Sequence, residues 1–274
     1  MNLNNLKIDL HIHTNASDGT WSNVELLKNI YEKNIKIFSI TDHDTITNSI
    51  KMISMVPDDL YFIVGVEITC TLDGKEFHIL GYDFDIHNKA LNNLLVFNRI
   101  QREESNKKVI QYAYDTNMLD TIENYSTYEY DKARGGWESL NYLYDNKVIS
   151  NLKDYFQLAK SSNEFLVLKE PQEVIEIIKD AGGYAFLAHP SGYTNGSNLS
   201  IECLERFKNF GISGIECYSP YLKSLEDAAY YINFCKENDL MISAGSDCHG
   251  GFTNRDLGSP EVNLNQLDLR FIKI

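Results

Sequence analysis

The sequence predicts an α/β fold carried by seven strands, with a mostly helical insertion between the fourth strand and the fifth. Three observations predict it. Seven short β-branched or apolar runs recur along the chain, amphipathic helical patterns separate most of them, and the stretch 87–168 breaks that rhythm. Strand–helix alternation implies parallel strands in a doubly wound sheet or a barrel. At 274 residues the chain can bury a full core. The expected division is a core of 1–86 and 169–274 with an insertion, or cap, over 87–168.

The strand-like runs are 6–13, 36–42 ("KIFSITD"), 60–69 ("LYFIVGVEIT"), 76–84 ("EFHILGYDF"), 184–189 ("YAFLAH"), 213–218 ("SGIECY") and 241–247 ("MISAGSD"). After the first, "SNVELLKNIYEKN" opens on Ser22 with Glu25 three residues later, the spacing of a capping box. Val24, Leu27, Ile30 and Tyr31 supply its expected apolar face. "EPQEVIEIIKDAGG" repeats the pattern with Pro171 near its start and Gly182–Gly183 at its end. "SLEDAAYYINFCKEN" is a third helix of the same kind. The insertion opens on a long helix over 90–115 and then turns rich in Tyr, Asn and Asp.

Composition narrows the class. A formal net charge of −14 argues against a protein that grips duplex nucleic acid through a basic surface. No apolar run reaches about 18 residues, so no membrane span is expected. "MNLNNLKIDL" lacks the basic-then-apolar pattern of a secretory leader. Five scattered cysteines form no CxxC pair, which points to a reducing cytoplasm.

The chemistry gathers where the strands end. In "DLHIHTNASDGT", His11 and His13 lie two residues apart and so share a strand face, with Asp18 just beyond. The second strand ends in Asp42, His43 and Asp44. Glu67 lies on the third, His78 on the fourth, His189 ends the fifth, Glu216 lies on the sixth, and Asp247 and His249 end the seventh. Each has an ordinary reading: a turn residue for Asp18, helix caps for Asp42 and Asp44, a buried ion-pair partner for Glu216, and a loop residue for His87. Jointly those readings fail, because that many buried charges without partners would cost several kcal/mol each. His, Asp and Glu donors without thiolate suit Zn, Mn or Fe, and about nine ligands exceed one coordination sphere.

Together "DLHIHTNASDGT", "ITDHDT", "GVEI", "HILGYDFD", "AHP" and "SDCHG" resemble the PHP (polymerase and histidinol phosphatase) family of metal-dependent phosphoesterases. The resemblance spans 8 to about 90 and 170 to 250. It implies a distorted seven-stranded (β/α)7 barrel and two to three divalent metal ions. By motif position one ion would take His11, His13, Glu67 and Asp247, a second Glu67, His78 and His189, and a third Asp18, His43 and His249. "SDG" is the usual form in the nucleotide-phosphatase branch, similar to enzymes acting on nucleoside 3′,5′-bisphosphates. Some members carry a histidine where this chain has Gly19.

With no GxSxG, CxxxxxR or Walker A motif, the chain offers no protein nucleophile, and attack by metal-bound hydroxide is the expected chemistry. Asp18, His43 and His249 are the catalytic candidates, and Asp9, Asp42 and Asp44 are expected to orient ligating imidazoles. Arg99 and Arg102, one helical turn apart, and Arg134 in "KARGG" are the candidates for binding substrate phosphate. Trp137 and the tyrosines of the insertion would either stack on a base or pack the cap. Cys248, between two expected ligands, should point away from them.

The expected function is hydrolysis of phosphate monoesters on a small phosphorylated substrate. Nucleotides lead, as nucleoside 3′,5′-bisphosphates or the 5′ ends of short oligonucleotides. The alternatives are a sugar- or amino-alcohol-phosphate phosphatase and a catalytically silent metal-binding domain. Amide hydrolysis is a further class, for which paired arginines would be idle.

Overall fold

The computed structural model describes residues 5–162 and 166–272. Seven strands, β1 (Lys7–Asp9), β2 (Ile35–Ile40), β3 (Tyr61–Leu72), β4 (Lys75–Tyr82), β5 (Tyr184–Leu187), β6 (Gly214–Tyr218) and β7 (Met241–Ala244), form one sheet in chain order. Among the described residues eight α-helices accompany them: α1 (Asn23–Glu32), α2 (Thr47–Ile53), α3 (Lys89–Asp115), α4 (Glu138–Asp145), α5 (Leu152–Ser161), α6 (Pro171–Asp180), α7 (Ile201–Asn209) and α8 (Ala228–Glu237). Among the described residues no helix is long and apolar enough to cross a membrane.

The sheet is mostly, not wholly, parallel. β4 runs antiparallel to both β3 and β5. Only Asp73 and Gly74 join β3 to β4, with φ of 51° and 73°. Positive φ at both central residues is what a two-residue hairpin needs, and Asp-Gly supplies it. A parallel return would need a crossover of a dozen or more residues. His78 therefore enters the site from the first half of a reversed strand, opposite Thr69, and not from a C-terminal strand end.

β1 is shorter than the run 6–13 because side chains interrupt its ladder. The Ile12 amide donates to Thr41 Oγ1 at 3.1 Å, and Ile12 meets Cys248 in an isolated parallel bridge. The Leu10 amide donates to Ala244 O at 3.1 Å, so the ends of β1 and β7 touch.

Apolar residues cover both sheet faces, as expected for largely parallel strands. On one side Val174, Ile175 and Ile178 of α6, Phe207 of α7 and Phe234 of α8 pack with Val66, Ile79 and Ile215. On that same helix-bearing face Leu26 and Ile30 of α1 and Met52 of α2 join Ile12, Phe38, Ile40 and Cys248, while Ile8, Ile37, Leu80, Tyr82 and Phe186 fill the opposite face. Cys248 is thus a packing residue turned away from the polar centre. The capping box at Ser22 and Glu25 forms as expected. The buried face of α1 differs, being Asn23, Leu26 and Ile30, while Val24 and Tyr31 are exposed. α3, α4 and α5 share a separate small core that includes Ile110, Leu143, Tyr155 and Leu158.

Candidate metal centre

Ile12 is held between Thr41 and Cys248, so its neighbours His11 and His13 turn to the same side, with their Nε2 atoms 3.2 Å apart. Glu67, fully buried on β3, stands at the centre of the site. Its Oε2 lies 3.2 Å from His11 Nε2, His13 Nε2 and His43 Nδ1. Its Oε1 lies 3.0 Å from His78 Nδ1 and 3.0 Å from His189 Nε2. Asp247 Oδ1 closes one side, 3.2 Å from His13 Nε2 and 3.4 Å from His11 Nε2. Asp18 Oδ2 lies 3.3 Å from His249 Nε2 and 4.0 Å from His43 Nε2.

The backbone is bent to present these groups. Asp44, His189 and Asp247 all have positive φ, at 50°, 26° and 49°. Non-glycine residues in that region are uncommon, and strain of this kind collects at functional sites. Gly245 permits the closest approach. A Cβ there would stand 2.1 Å from His11 Cβ and 2.7 Å from Glu216 Oε1.

Charge balance shows what the cluster lacks. Burial opposes the charge on His13, but Asp247 and Glu67 outweigh it and raise its pKa to about 9. For His78 burial is likewise overcome, by Glu67 and Glu76, and its pKa rises to about 10. Burial wins at His43, whose pKa falls to about 3. Burial disfavours the charges of Glu67 and Asp247, yet the imidazoles around them hold both well below the carboxylate range. Protons on imidazoles thus supply positive charge that divalent cations would otherwise provide. Buried His13 Nδ1, His43 Nδ1, His189 Nδ1 and Glu67 Oε2 have no hydrogen-bond partner among the described residues. Orphaned donors of this type, in three groups whose ligand atoms all lie within 4.8 Å, fit divalent metals.

The three groups are His11, His13, Glu67 and Asp247; His43, Glu67 and His78; and His13, Asp18, His43 and His249. All nine residues expected as ligands meet here, His189 through Glu67. The grouping differs from the expected one in three places, the first being that His189 belongs to none of the three groups and, among the described residues, pairs its imidazole only with Glu67. His43 also joins the Glu67–His78 pair, and His13 also faces Asp18, at 3.6 Å.

The surrounding carboxylates depart from expectation. Asp42 accepts from Thr14 N, Thr14 Oγ1 and Ser17 Oγ, and Asp9 from the amides of His11, Ser246 and Gly258. Asp44 accepts from Thr69 and Asn98. None of the three holds an imidazole, and neither Asp42 nor Asp44 caps α2, whose cap position is Ile46. They tie down the backbone that carries the histidines. Glu216 orients an imidazole instead: its Oε1 lies 2.9 Å from His11 Nδ1, and its Oε2 accepts the His189 amide at 2.7 Å. Glu76 does the same for His78 Nε2, at 3.0 Å. His87 is exposed in its loop.

A cavity of about 660 Å³ opens over the cluster. Arg99 and Arg102 line it from α3. Arg99 Nη1 donates to Asp44 O at 3.0 Å, and Arg102 Nη2 to Thr69 Oγ1 at 2.8 Å. Arg134 does not join them, because both its Nη atoms are taken by Asp145 at 2.8 and 2.9 Å on the exposed surface. The glycines beside it serve docking: the Gly136 amide donates to Asp18 O at 2.7 Å. Trp137 packs edge-on against Tyr155, with 5.0 Å between ring centroids, while lining the cavity with Phe156 and Phe252. Sequence reasoning misses Tyr221 and Arg255, which also line the cavity. The signal available was an arginine six residues after His249 in a glycine-containing loop.

No family model matches the chain. It is 29% identical over 251 residues to a 5′-3′ exoribonuclease of Haemophilus influenzae, covering 89% of this chain and 90% of the relative. It is 25% identical over 276 residues to a 3′,5′-nucleoside bisphosphate phosphatase of Chromobacterium violaceum, covering 93% and 91%. Its homologues are PHP-type metal-dependent phosphoesterases. Among solved structures, a Bifidobacterium adolescentis protein inferred to be a metal-dependent phosphoesterase superposes with a TM-score of 0.78, at 23% identity over 92% of this chain and 91% of that one. That likeness supports the PHP-type fold.

Proposed function

We propose that this chain is a metal-dependent hydrolase of phosphate monoesters on nucleotides, acting on nucleoside 3′,5′-bisphosphates or on the 5′ ends of short oligonucleotides. The observation that carries the reading is Glu67, one buried carboxylate among five imidazoles, with Arg99 and Arg102 lining the cavity above it. The paired guanidiniums favour phosphate over a neutral amide. A cavity of about 660 Å³ is of the size that holds one nucleotide-sized ligand. The touching ends of β1 and β7 support a distorted barrel in which the cluster lies at one mouth.

Two or three divalent ions, of Mn, Zn or Fe, would be held by the three ligand groups. When bound they activate water and neutralise the phosphoryl oxygens. The chain's residues supply the rest. Glu216 fixes His11 with Nε2 toward Glu67, and Glu76 holds His78 with Nδ1 toward Glu67. Arg99 and Arg102 bind and orient the substrate's phosphate. His249 Nδ1 lies 2.8 Å from Asp247 O, which aims Nε2 at Asp18. With two ions on the groups containing Glu67, Asp18 would face His249 as the imidazolium. The Nε2 proton of that ring would go to the leaving oxygen and leave the neutral ring with its Nδ1 proton on Asp247 O. With three, Asp18 and His249 hold the last ion with His43.

Phosphate release from a panel tests the reading, with Mn²⁺ added and His249→Ala as control. The panel holds 3′,5′-bisphosphates, 5′-monophosphates, dinucleotides, histidinol phosphate and a simple amide. Selective turnover of nucleotides, abolished in the control, is the expected result. Turnover of sugar or amino-alcohol phosphates alone would replace the substrate class, and silence in metal-loaded protein would defeat the enzyme reading.

A further inference from the structure

The cavity has a third guanidinium, carried by the loop after β7 and not by α3. Arg255 Nη1 donates to Asp247 Oδ2 and, at 3.4 Å, to Asp247 O. The Tyr221 hydroxyl donates to the same Oδ2 at 2.7 Å. The Tyr221 ring lies against the guanidinium, 4.7 Å from Cζ to centroid. Asp247 is therefore divided. Its Oδ1 faces His11 and His13, while its Oδ2 is gripped from outside by Tyr221 and Arg255.

A guanidinium carries five N–H donors in a rigid fork. Only Nη1 of Arg255 finds an acceptor among the described residues, and the side chain is 27% exposed at the cavity wall. Stacking on Tyr221 restrains the plane of the fork, so its open edge is preorganised. A cation with open donors, one carboxylate away from a cluster built for metals, matches the oxygens of a phosphoryl group.

We infer that Arg255 is a phosphate-contacting residue, donating from its outward N–H groups to a non-bridging oxygen of the phosphoryl group that is hydrolysed. The inference rests on the phosphoesterase reading. Because Asp247 joins Arg255 to the cluster, a phosphoryl group held over His11, His13 and Asp247 brings an oxygen within the fork's reach. The contact acts on the reacting group itself, so it serves every substrate alike, whatever the rest of the molecule.

The test uses the metal-loaded protein and its Arg255→Gln and Arg255→Lys variants. Inorganic phosphate is titrated by calorimetry, metal per chain is counted by elemental analysis, and kcat/KM is measured on several phosphate monoesters. Phosphate affinity should fall about tenfold or more in Arg255→Gln and less in Arg255→Lys, with metal content unchanged. The kcat/KM should fall by a similar factor on every substrate. Arg255→Lys carries the test if the glutamine variant does not fold. Wild-type phosphate affinity in a folded variant would overturn the inference. So would a loss matched by loss of metal, which would make Arg255 only a support for Asp247. If the wild-type protein hydrolyses no phosphoester, the phosphoesterase reading fails, and the titration alone judges the anion contact. If it does hydrolyse them and the variants match it, only the Arg255 inference falls.

Discussion

Glu216 Oε1 lies 2.9 Å from His11 Nδ1, and both side chains are fully buried. The pairing fixes which nitrogen of His11 faces Glu67 and Asp247, since the proton on Nδ1 leaves Nε2 free to ligate. Support of this kind is worth about 10–100-fold in metal affinity. Glu216→Gln should weaken metal binding within that range while the fold, followed by circular dichroism, persists. Competition against a chelator of known affinity measures it, and unchanged affinity would remove Glu216 from the centre's support.

Glu67 is shared by two of the three ligand groups, so its loss should empty more than one of them. Glu67→Gln is expected to lower the metal content and abolish phosphate release. It should also unsettle the metal-free protein, whose protonated imidazoles depend on that carboxylate. Removing one partner of a buried ion pair costs about 3–5 kcal/mol. Denaturant unfolding of both proteins in chelator at pH 6 should show a loss of that order, and equal midpoints would sink the central role of Glu67.

The metal-free protein should lose stability as the solution turns alkaline. His13 and His78 have folded pKa values raised to about 9 and about 10, above the ordinary histidine value of 6.5. A raised histidine stabilises fully below its unfolded pKa, and that contribution disappears as pH climbs through the folded pKa. The window is therefore about pH 6.5 to 10, with stability falling upward. Metal loading displaces the same protons, so binding near pH 7.5 should release protons to the buffer. Calorimetry in buffers of different ionisation enthalpy measures the release, and a buffer-independent enthalpy would contradict it.

Much of this centre is legible in the chain because strand ends are short, local and titratable. His11 and His13 declare a shared face by spacing alone, and Ile12 between them keeps that face in the structure. The reversal of β4 was equally readable in Asp73–Gly74, but the strand–helix rhythm around it masks a two-residue hairpin. What spacing does not carry is partnership across the fold. Arg134 and Asp145 meet through the helical segment, and Glu216 reaches His11 across 205 residues. Asp9, Asp42 and Asp44 sit beside the histidines in sequence yet hold backbone amides and hydroxyls, because the imidazoles already face inward.

Arg102 touches Thr69 and lies 3.5 Å from Asp44 Oδ2, none of which belongs to the three ligand groups. Arg102→Ala should therefore raise KM for a nucleotide substrate by about tenfold or more while the metal content stays at the wild-type level. Arg99→Ala should act in the same direction. Steady-state kinetics beside elemental analysis separates binding from loading. Unaffected kinetics would return both arginines to a role in holding α3 against Asp44 and Thr69.

Gly135 fastens the helical segment to the mouth of the centre. Its φ of 71° and ψ of −175° fall in a region essentially reserved for glycine. A Cβ there would stand 2.6 Å from Phe252 Cβ and 3.0 Å from Asp18 O. The next residue, Gly136, donates its amide to that same Asp18 oxygen. Gly135→Ala should therefore push the turn off the Asp18 loop without entering the main core, costing about 1–3 kcal/mol locally. The expected outcome is near-normal far-ultraviolet circular dichroism, faster proteolytic nicking near Gly135, and loss of phosphate release through displacement of Asp18. Wild-type activity with wild-type protease resistance would show that the centre does not depend on this docking.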